Sequence, residues 1–463
     1  MNFNPLFLLL AGFCFIFALR GFSSAQTARR GNLWGMGGML LALIVTLGMT
    51  GGYRLAGVLT ALALGGAIGS AIAFRLPMAA LPQLVAAFHS LVGLAATLIA
   101  IVMYAVPGAF KIGMPGTHLG RSVLLEIGLG AIIGAITFTG SLVAFAKLQG
   151  ILKGTRGVLR LQPFLNALTG LLILGALAGF IVLSDPLVLL ILIALAFYLG
   201  AGLILPIGGA DMPVVVSLLN SYSGWTAAAT GFTMNSAVLI ITGALVGSSG
   251  AILSSVMCKN MNRSLFSVLF GRRSPPQKGK EGGGKADTSS IKVGNAEEAA
   301  AILRHASSVI IVPGYGMAVA QAQRALQEMA ALLIQDGIRV RYAIHPVAGR
   351  MPGHMNVLLA EANVSYDDVF ELDDINADFA CTDVAFVIGA NDVTNPAAHN
   401  DAASPLYGMP ILNVEDAGTV LFVKRSLGAG YAGVDNELFY NPKTMMILGD
   451  ARKVCEGIVQ TLK

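Results

Sequence analysis

Apolar residues fill the first 258 positions in blocks of about 20, broken by short polar, glycine or proline stretches. A helix of that length crosses the hydrocarbon core of a bilayer. Nine such blocks are read, near 4–20, 33–50, 55–73, 82–105, 122–146, 162–183, 187–205, 212–232 and 236–257. An odd number of crossings places the two ends on opposite sides of the membrane. Past residue 300 the period changes: short apolar runs at 309–312, 340–344, 369–372, 384–388, 411–414, 420–423 and 445–448 alternate with helical stretches. That alternation predicts a doubly wound parallel sheet, with ligands at the carboxyl ends of its strands.

Three segments follow: a membrane part over 1–258, a linker over 259–290 and a soluble part over 291–463. The linker run Arg272-Arg-Ser-Pro-Pro-Gln-Lys-Gly-Lys-Glu-Gly-Gly-Gly-Lys285 is charged and rich in Gly and Pro, so a flexible connection is expected. Composition agrees with a polytopic membrane protein, with 55% hydrophobic and 12% charged residues and a mean hydropathy of +0.73. The net charge of +5 is read as membrane topology rather than as a nucleic-acid surface. Arg20, Arg29, Arg30, Arg75, Lys147, Lys153, Arg156, Arg160 and Lys259 fall on one side, against Arg54, Lys111 and Arg121 on the other. The C-terminal part is therefore expected in the cytoplasm and the N-terminus outside.

The apolar start at 6–19 is followed by small residues at Ser23-Ser24-Ala25, but no cation precedes it, so a retained anchor is expected rather than a cleaved signal. Cys14, Cys258, Cys381 and Cys455 lack metal or redox spacing, and no metal site is expected. Small residues four apart, Gly65 with Gly69, Gly130 with Gly134 and Gly243 with Gly247, predict close helix contacts.

Polar residues inside the spans are the first candidates for chemistry. His89 lies about 12 Å into the fourth span, near mid-bilayer. Asn220 is similarly deep in the eighth span, nine residues after Asp211. Glu126 sits near the outer end of the fifth span, with Ser141 further along it. Ionisable groups in a membrane helix are costly and mark proton or ion paths, and histidine titrates near neutral pH. The structural alternative for His89 is a bond to a backbone carbonyl or to Ser90. Asp211, just before Met212-Pro213, reads equally as a helix cap or as a cytoplasmic proton port. For Glu126 and Ser141, contact with outer water and a bond to the local backbone are the plainer readings.

In the soluble part, Ser308-Val-Ile-Ile-Val-Pro-Gly314-Tyr-Gly316-Met-Ala-Val319 is a strand running into a glycine turn, with two of the three glycines of a dinucleotide fingerprint. Folds selective for NAD place an acid after the second strand; here that strand ends Tyr342-Ala-Ile-His345. Asp336 precedes the strand beside Gly337 and reads as a helix-end turn. Lys424-Arg425-Ser426 follows the 420–423 strand, and Arg350 lies in Val347-Ala-Gly-Arg350-Met-Pro352. Adjacent Lys and Arg at a strand's carboxyl end suit the 2′-phosphate of NADP, the plainer alternative being a solvated surface pair. Gly389-Ala-Asn391-Asp392-Val393 follows another strand, where a plain turn would use the same residue types. No Ser-His-Asp triad, phosphate-loop lysine motif or metal cluster is present in the sequence. The fold expected is a polytopic α-helical membrane domain followed by an α/β Rossmann-like domain.

These residues together resemble the beta subunit of proton-translocating NAD(P) transhydrogenase. The likeness spans nearly the whole chain. It is strongest at Gly208-Gly-Ala-Asp211-Met-Pro-Val-Val-Val-Ser, Asn220-Ser-Tyr-Ser-Gly-Trp225, Gly243-Ala-Leu-Val-Gly-Ser-Ser-Gly250, His345-Pro-Val-Ala-Gly-Arg350-Met-Pro-Gly-His354 and Lys424-Arg-Ser-Leu-Gly-Ala-Gly-Tyr431. The resemblance implies a bacterial inner-membrane protein with a cytoplasmic NADP(H) domain. It implies a proton path lined by His89 and Asn220, with Asp211 near the junction with that domain, and Glu126 and Ser141 are further candidates for the path. It also implies NADP(H) contacts from Gly314, Tyr315 and Gly316, and from Val347, Ala348, Gly349, Arg350, Met351 and Pro352. Further contacts are Gly389, Ala390, Asn391, Asp392 and Val393, then Gly408 and Met409. A lid of Lys424, Arg425, Ser426, Leu427, Gly428, Ala429, Gly430 and Tyr431, with Asp450 and Ala451, completes the set.

One dinucleotide turn cannot serve two nicotinamides, so an alpha subunit carrying NAD(H) is implied as partner, in a dimer of alpha-beta units. The competing reading, from another class, is an ion channel or transporter gated by a nucleotide-sensing domain.

Overall fold

The computed structural model describes all residues except 1–3, 22–24, 50–52, 111, 113–118, 153–160, 209–210, 263, 270–290, 352, 405 and 431. Lys111, Lys153, Arg156, Arg160, Ser23, Ser24 and the 272–285 linker run lie outside the described residues. Two compact units are present: Met1–Ile207 with Val215–Leu253, and Gly208–Val214 with Ser254–Lys463.

The helices of the apolar part are α1 (Asn4–Gly21), α2 (Ala25–Met49), α3 (Tyr53–Arg75), α4 (Leu81–Ala105), α5 (Arg121–Leu148), α6 (Gln162–Leu183), α7 (Pro186–Ile204), α8 (Met212–Thr233) and α9 (Ala237–Asn260). Each coincides with one of the nine apolar blocks of the sequence. Among the described residues, seven of the helices are long and apolar enough to cross a membrane, α2 to α7 and α9. The apolar stretch of α1 is shorter, Leu6–Ala18. In α8, Ser217, Asn220, Ser221, Ser223 and Thr226 dilute the apolar surface.

Helix contact here depends on small residues and on hydroxyls that bond across to carbonyls. A Cβ at Gly93 of α4 would lie 2.6 Å from Gly134 O and Phe138 N of α5. Ser90 Oγ donates to Phe138 O at 3.2 Å in the same seam. Thr139 Oγ1 of α5 donates to Phe197 O of α7 at 2.8 Å, and Asn166 Nδ2 of α6 to Gly202 O of α7 at 3.0 Å. Leu124, Ile127, Phe180 and Leu192 fill the core between α5, α6 and α7. At the end of α7, Lys147 Nζ donates to Ile207 O at 2.8 Å and Ile204 O at 3.2 Å. A cation there complements the negative end of the helix.

The glycine pairs divide. Gly243 and Gly247 of α9 do meet α8: a Cβ at Gly243 would lie 2.7 Å from Gly224 O, and one at Gly247 would lie 3.2 Å from the Trp225 ring. Gly134 meets α4, whereas a Cβ at Gly130, Gly65 or Gly69 would meet nothing within 4 Å among the described residues. Among the described residues, the close contact expected at Gly65 and Gly69 is therefore not made, and the α3 span has no buried residue.

After α10 (Leu265–Leu269) the second unit builds β1 (Lys292–Gly294), α11 (Ala296–Arg304), β2 (Ser308–Pro313), α12 (Tyr315–Val319), α13 (Gln323–Gln335) and β3 (Arg339–Ile344). Then come α14 (His354–Glu361), β4 (Val369–Glu371), α15 (Leu372–Ile375), β5 (Val384–Ile388), α16 (Ala397–Asn400), β6 (Thr419–Lys424), β7 (Thr444–Leu448) and α17 (Ala451–Leu462). The sheet has seven strands in the order β1-β7-β6-β5-β2-β3-β4, every pair parallel. All five residues of β5 are buried, as expected of a strand covered on both faces. Ile310, Val312, Phe386 and Phe422 lie in this core. Asp336 does end α13, with Gly337 at φ 85° completing the turn.

One expected strand is corrected. Residues 411–414 form no ladder: Leu412 N donates once, to Val393 O at 2.9 Å, and Asn376 holds Ile411 O and Asn413 N at 3.0 and 2.8 Å. The run is apolar because Ile411, Leu412 and Val414 are buried as a loop against the sheet. The edge strand β1 has no apolar run to announce it.

Candidate functional site

Two groups of candidates emerge, one in each unit. In the first unit, His89 of α4 and Asn220 of α8 are joined by a side-chain hydrogen bond. The Nδ1 atom of His89 is buried and has no hydrogen-bond partner among the described residues. Ser90 does not take the imidazole, because its hydroxyl is engaged with Phe138 O. Ser141 is fully buried, and its Oγ has no partner among the described residues, so it does not bond its own backbone. Glu126 is half-buried in the first turns of α5. Asp211, 7% exposed, precedes α8 in the other unit, and its N–H donates to Gly208 O at 3.2 Å.

Three small-residue contacts set the height and rotation of α8. Ser217 Oγ donates to Gly250 O at 3.1 Å. Ser221 Oγ donates to Gly247 O at 2.6 Å and accepts from Trp225 Nε1 at 3.0 Å. Gly224 abuts Gly247 so closely that a side chain at 224 would overlap the backbone of 247. Asn220 thus projects from a helix fixed along its α9 face.

In the second unit the crevice is where the strand order reverses, between β2 and β5, because the chain runs one way through β2, β3, β4 and the other way through β5, β6, β7. Gly314 follows β2 and Gly389 follows β5, with Gly314 N bonded to Ile388 O and Gly316 N to Gly389 O, each at 2.9 Å. A Cβ at Gly314 would lie 2.5 Å from Ala390 Cα, and Gly389 sits at φ 69°, which suits glycine. The fingerprint glycines therefore admit the neighbouring loop. The helix after them, α12, is only five residues long, and Val319 is 48% exposed instead of wedged against a strand.

The 347–351 loop joins this junction through Tyr315 N, which donates to Ala348 O at 3.1 Å. The Arg350 guanidinium lies 4.2 Å from the centre of the Tyr315 ring, within cation–π range. Gly408 and Met409 lie in a turn anchored by Gly408 N on Ala398 O at 2.9 Å. Pro352 and Tyr431 lie outside the described residues.

The 424–430 segment comes back over the Asn391–Asp392 turn. Asp392 Oδ2 accepts from Ala432 N at 2.9 Å, and a side chain at Gly430 would overlap Asp392 and Asn391. Lys424 Nζ donates to Gly428 O and stands 4.7 Å from the Phe439 ring centre. Burial pushes its pKa down, while Asp392 and Asp435 push it back up. Arg425 reaches Asp450 Oδ2 at 3.3 Å, and Asp450 caps α17 by accepting from Arg452 N at 3.2 Å. Leu427 packs on the core, whereas Ser426 is exposed.

Asn436 was not singled out by the sequence, yet it is fully buried and its Nδ2 donates to both Asn391 O and Asn391 Oδ1 at 3.2 Å. The Asp435-Asn436 pair was the available signal, since such residues begin turns. Three glycine turns and three basic side chains thus follow the carboxyl ends of the interior strands β2, β3, β5 and β6, an arrangement able to hold a phosphorylated dinucleotide.

The profile of a family described as NAD(P) transhydrogenase beta subunit matches residues 5–461. An NAD(P) transhydrogenase subunit beta of Rhodospirillum rubrum is 58% identical over 455 residues, 98% of each chain. The same protein from a designated strain of that species gives the same figures, 58% over 455 residues and 98% of each chain. Together, these matches over almost the full length place the chain in the NAD(P) transhydrogenase beta-subunit family.

Proposed function

We propose that this chain binds NADP(H) at the β2/β5 crevice and couples hydride exchange with NAD(H) to proton movement through its helical unit. The observation that carries the reading is Lys424 and Arg425 at the end of β6, beside the convergence of the 314–316, 347–351 and 389–393 turns. The second strand ends at Ile344 and His345 with no acid for a ribose hydroxyl, so the basic pair supports a 2′-phosphate. The Arg350 guanidinium suits the remaining phosphates.

In this reading Lys424, Arg425 and the 426–431 segment close over the coenzyme, with Asp392 and Asn436 as the base of the closure. His89 and Asn220 hold a proton at mid-membrane, where an unpartnered Nδ1 leaves room for it. An alpha subunit brings NAD(H), in a dimer of alpha-beta units, and hydride transfer between the rings is the chemistry the coenzymes supply. The helical unit lies in the bacterial inner membrane with the N-terminus outside and the nucleotide unit in the cytoplasm, as the loop cations indicate. A proton crossing about 100 mV supplies about 2.3 kcal/mol. That shifts an equilibrium between a closed and a nucleotide-exchanging state about forty- to fiftyfold.

Equilibrium binding tests the nucleotide half. The chain should take NADP+ well ahead of NAD+, and a Lys424→Gln, Arg425→Gln double variant should erase most of that preference. Equal affinities in the unaltered chain contradict the reading.

A further inference from the structure

His345 stands at the carboxyl end of β3 with 4% of its surface exposed, and both ring nitrogens are committed. Nε2 lies 2.8 Å from Pro410 O, and Nδ1 lies 3.2 Å from the N–H of Val347. A carbonyl only accepts and an amide N–H only donates. The ring is therefore the neutral tautomer with hydrogen on Nε2, donating to Pro410 O and accepting from Val347 N.

Those two bonds join segments that are far apart in the chain. Val347 opens the loop that carries Arg350, and Pro410 directly follows the Gly408-Met409 turn. At the loop's other end His354, 1% exposed, uses Nδ1 to accept from Arg350 N at 3.1 Å. The Arg350 loop is thus held at both ends by imidazole acceptors, and through Ala348 O it reaches Tyr315 of the glycine turn.

We propose that His345 is a positioning residue for the NADP(H) site, touching no coenzyme but fixing the 347–351 loop against the 408–410 turn. The proposal rests on the reading that those two segments hold NADP(H). Asparagine and glutamine separate the two bonds. In His345→Asn the side-chain oxygen reaches the position of Nδ1 and keeps the Val347 bond. In His345→Gln the amide N–H reaches the position of Nε2 and keeps the Pro410 bond.

The experiment measures the KM for NADP+, the KM for NADH, kcat and the melting temperature of the full chain with its alpha partner, for His345→Leu, His345→Asn and His345→Gln. His345→Leu should raise the KM for NADP+ about tenfold, the factor that about 1.4 kcal/mol makes in an equilibrium constant. The KM for NADH should be unchanged, and the Asn and Gln variants should each recover part of the loss. An unchanged KM for NADP+ in His345→Leu overturns the proposal. So does a parallel loss of both coenzymes and of melting temperature in all three variants, which marks a residue of the core alone. Failure of the unaltered chain to bind NADP+ removes the site reading itself, an outcome separate from either.

Discussion

His89 and Asn220 share a side-chain hydrogen bond although they come from α4 and α8. The bond matters because α8 is itself fixed along its other face, by Ser217, Ser221 and Gly224 against α9. A shift of α8 would therefore be felt at the imidazole. Replacing His89 by Phe removes the only titrating partner of the pair. Proton-coupled turnover should then fall at least a hundredfold, measured as NADPH formation in sealed vesicles. Asn220→Leu should lower it while the isolated NADP+ binding step stays intact, measured by equilibrium titration.

The α8/α9 seam leaves no room for side chains at its centre. In Gly224→Val the new methyls would overlap the backbone of Gly247, and overpacking of this kind destabilises by about 1–3 kcal/mol. A lower melting temperature in detergent is the expected outcome. Ser221→Ala loses the bond from Trp225 Nε1 within α8 and the bond across to Gly247 O of α9, and a hydrogen bond between membrane helices contributes about 0.6 kcal/mol. Its melting temperature should fall less than that of Gly224→Val.

Gly430 is the point where the segment after β6 touches the Asn391–Asp392 turn. A methyl there overlaps both side chains, so Gly430→Ala should push the segment outward and break the Ala432 bond to Asp392. The off-rate of NADP+ should rise about tenfold or more, measured by stopped flow, since losing that charge-assisted bond costs about 1.5–3 kcal/mol.

Protonation of His345 is opposed by burial, which lowers its pKa from 6.5 to about 4, with the Pro410 carbonyl opposing the shift. The unfolded chain binds the proton more readily, so the stabilisation is fully present above pH 6.5 and is lost as pH falls toward about 4. The interval corresponds to about 3 kcal/mol. In His345→Leu the fall in melting temperature between pH 6.5 and 4 should be smaller than in the unaltered chain.

What the sequence made legible follows a physical divide. Helices of the apolar part were visible as apolar blocks long enough to cross a bilayer, and six of the seven strands as short apolar runs, because strands such as β2, β5 and β6 are covered on both faces. The 411–414 run misled because Ile411 and Leu412 are buried without pairing, and apolarity alone does not separate a strand from a packed loop. Edge strand β1, Lys292–Gly294, is too short and too polar to show a period. Gly65 and Gly69 have the spacing of a helix contact, but spacing does not supply the second helix.

At the site, the basic pair and the glycine turns were readable as residue types at strand ends. Asn436 and His345 were not, because their partners Asn391 and Pro410 lie far away in sequence. The role of Gly314 in admitting Ala390 was equally hidden, since it depends on β2 and β5 being neighbours.

In the proposed function, hydride exchange and proton passage are one coupled process. Reconstituting the chain with its alpha partner in sealed vesicles, then adding NADH and NADP+ while recording NADPH and internal pH together, tests it most directly. Coupling predicts a pH change in step with NADPH, and loss of both in His89→Phe. NADPH formation at full rate with no pH change would contradict it.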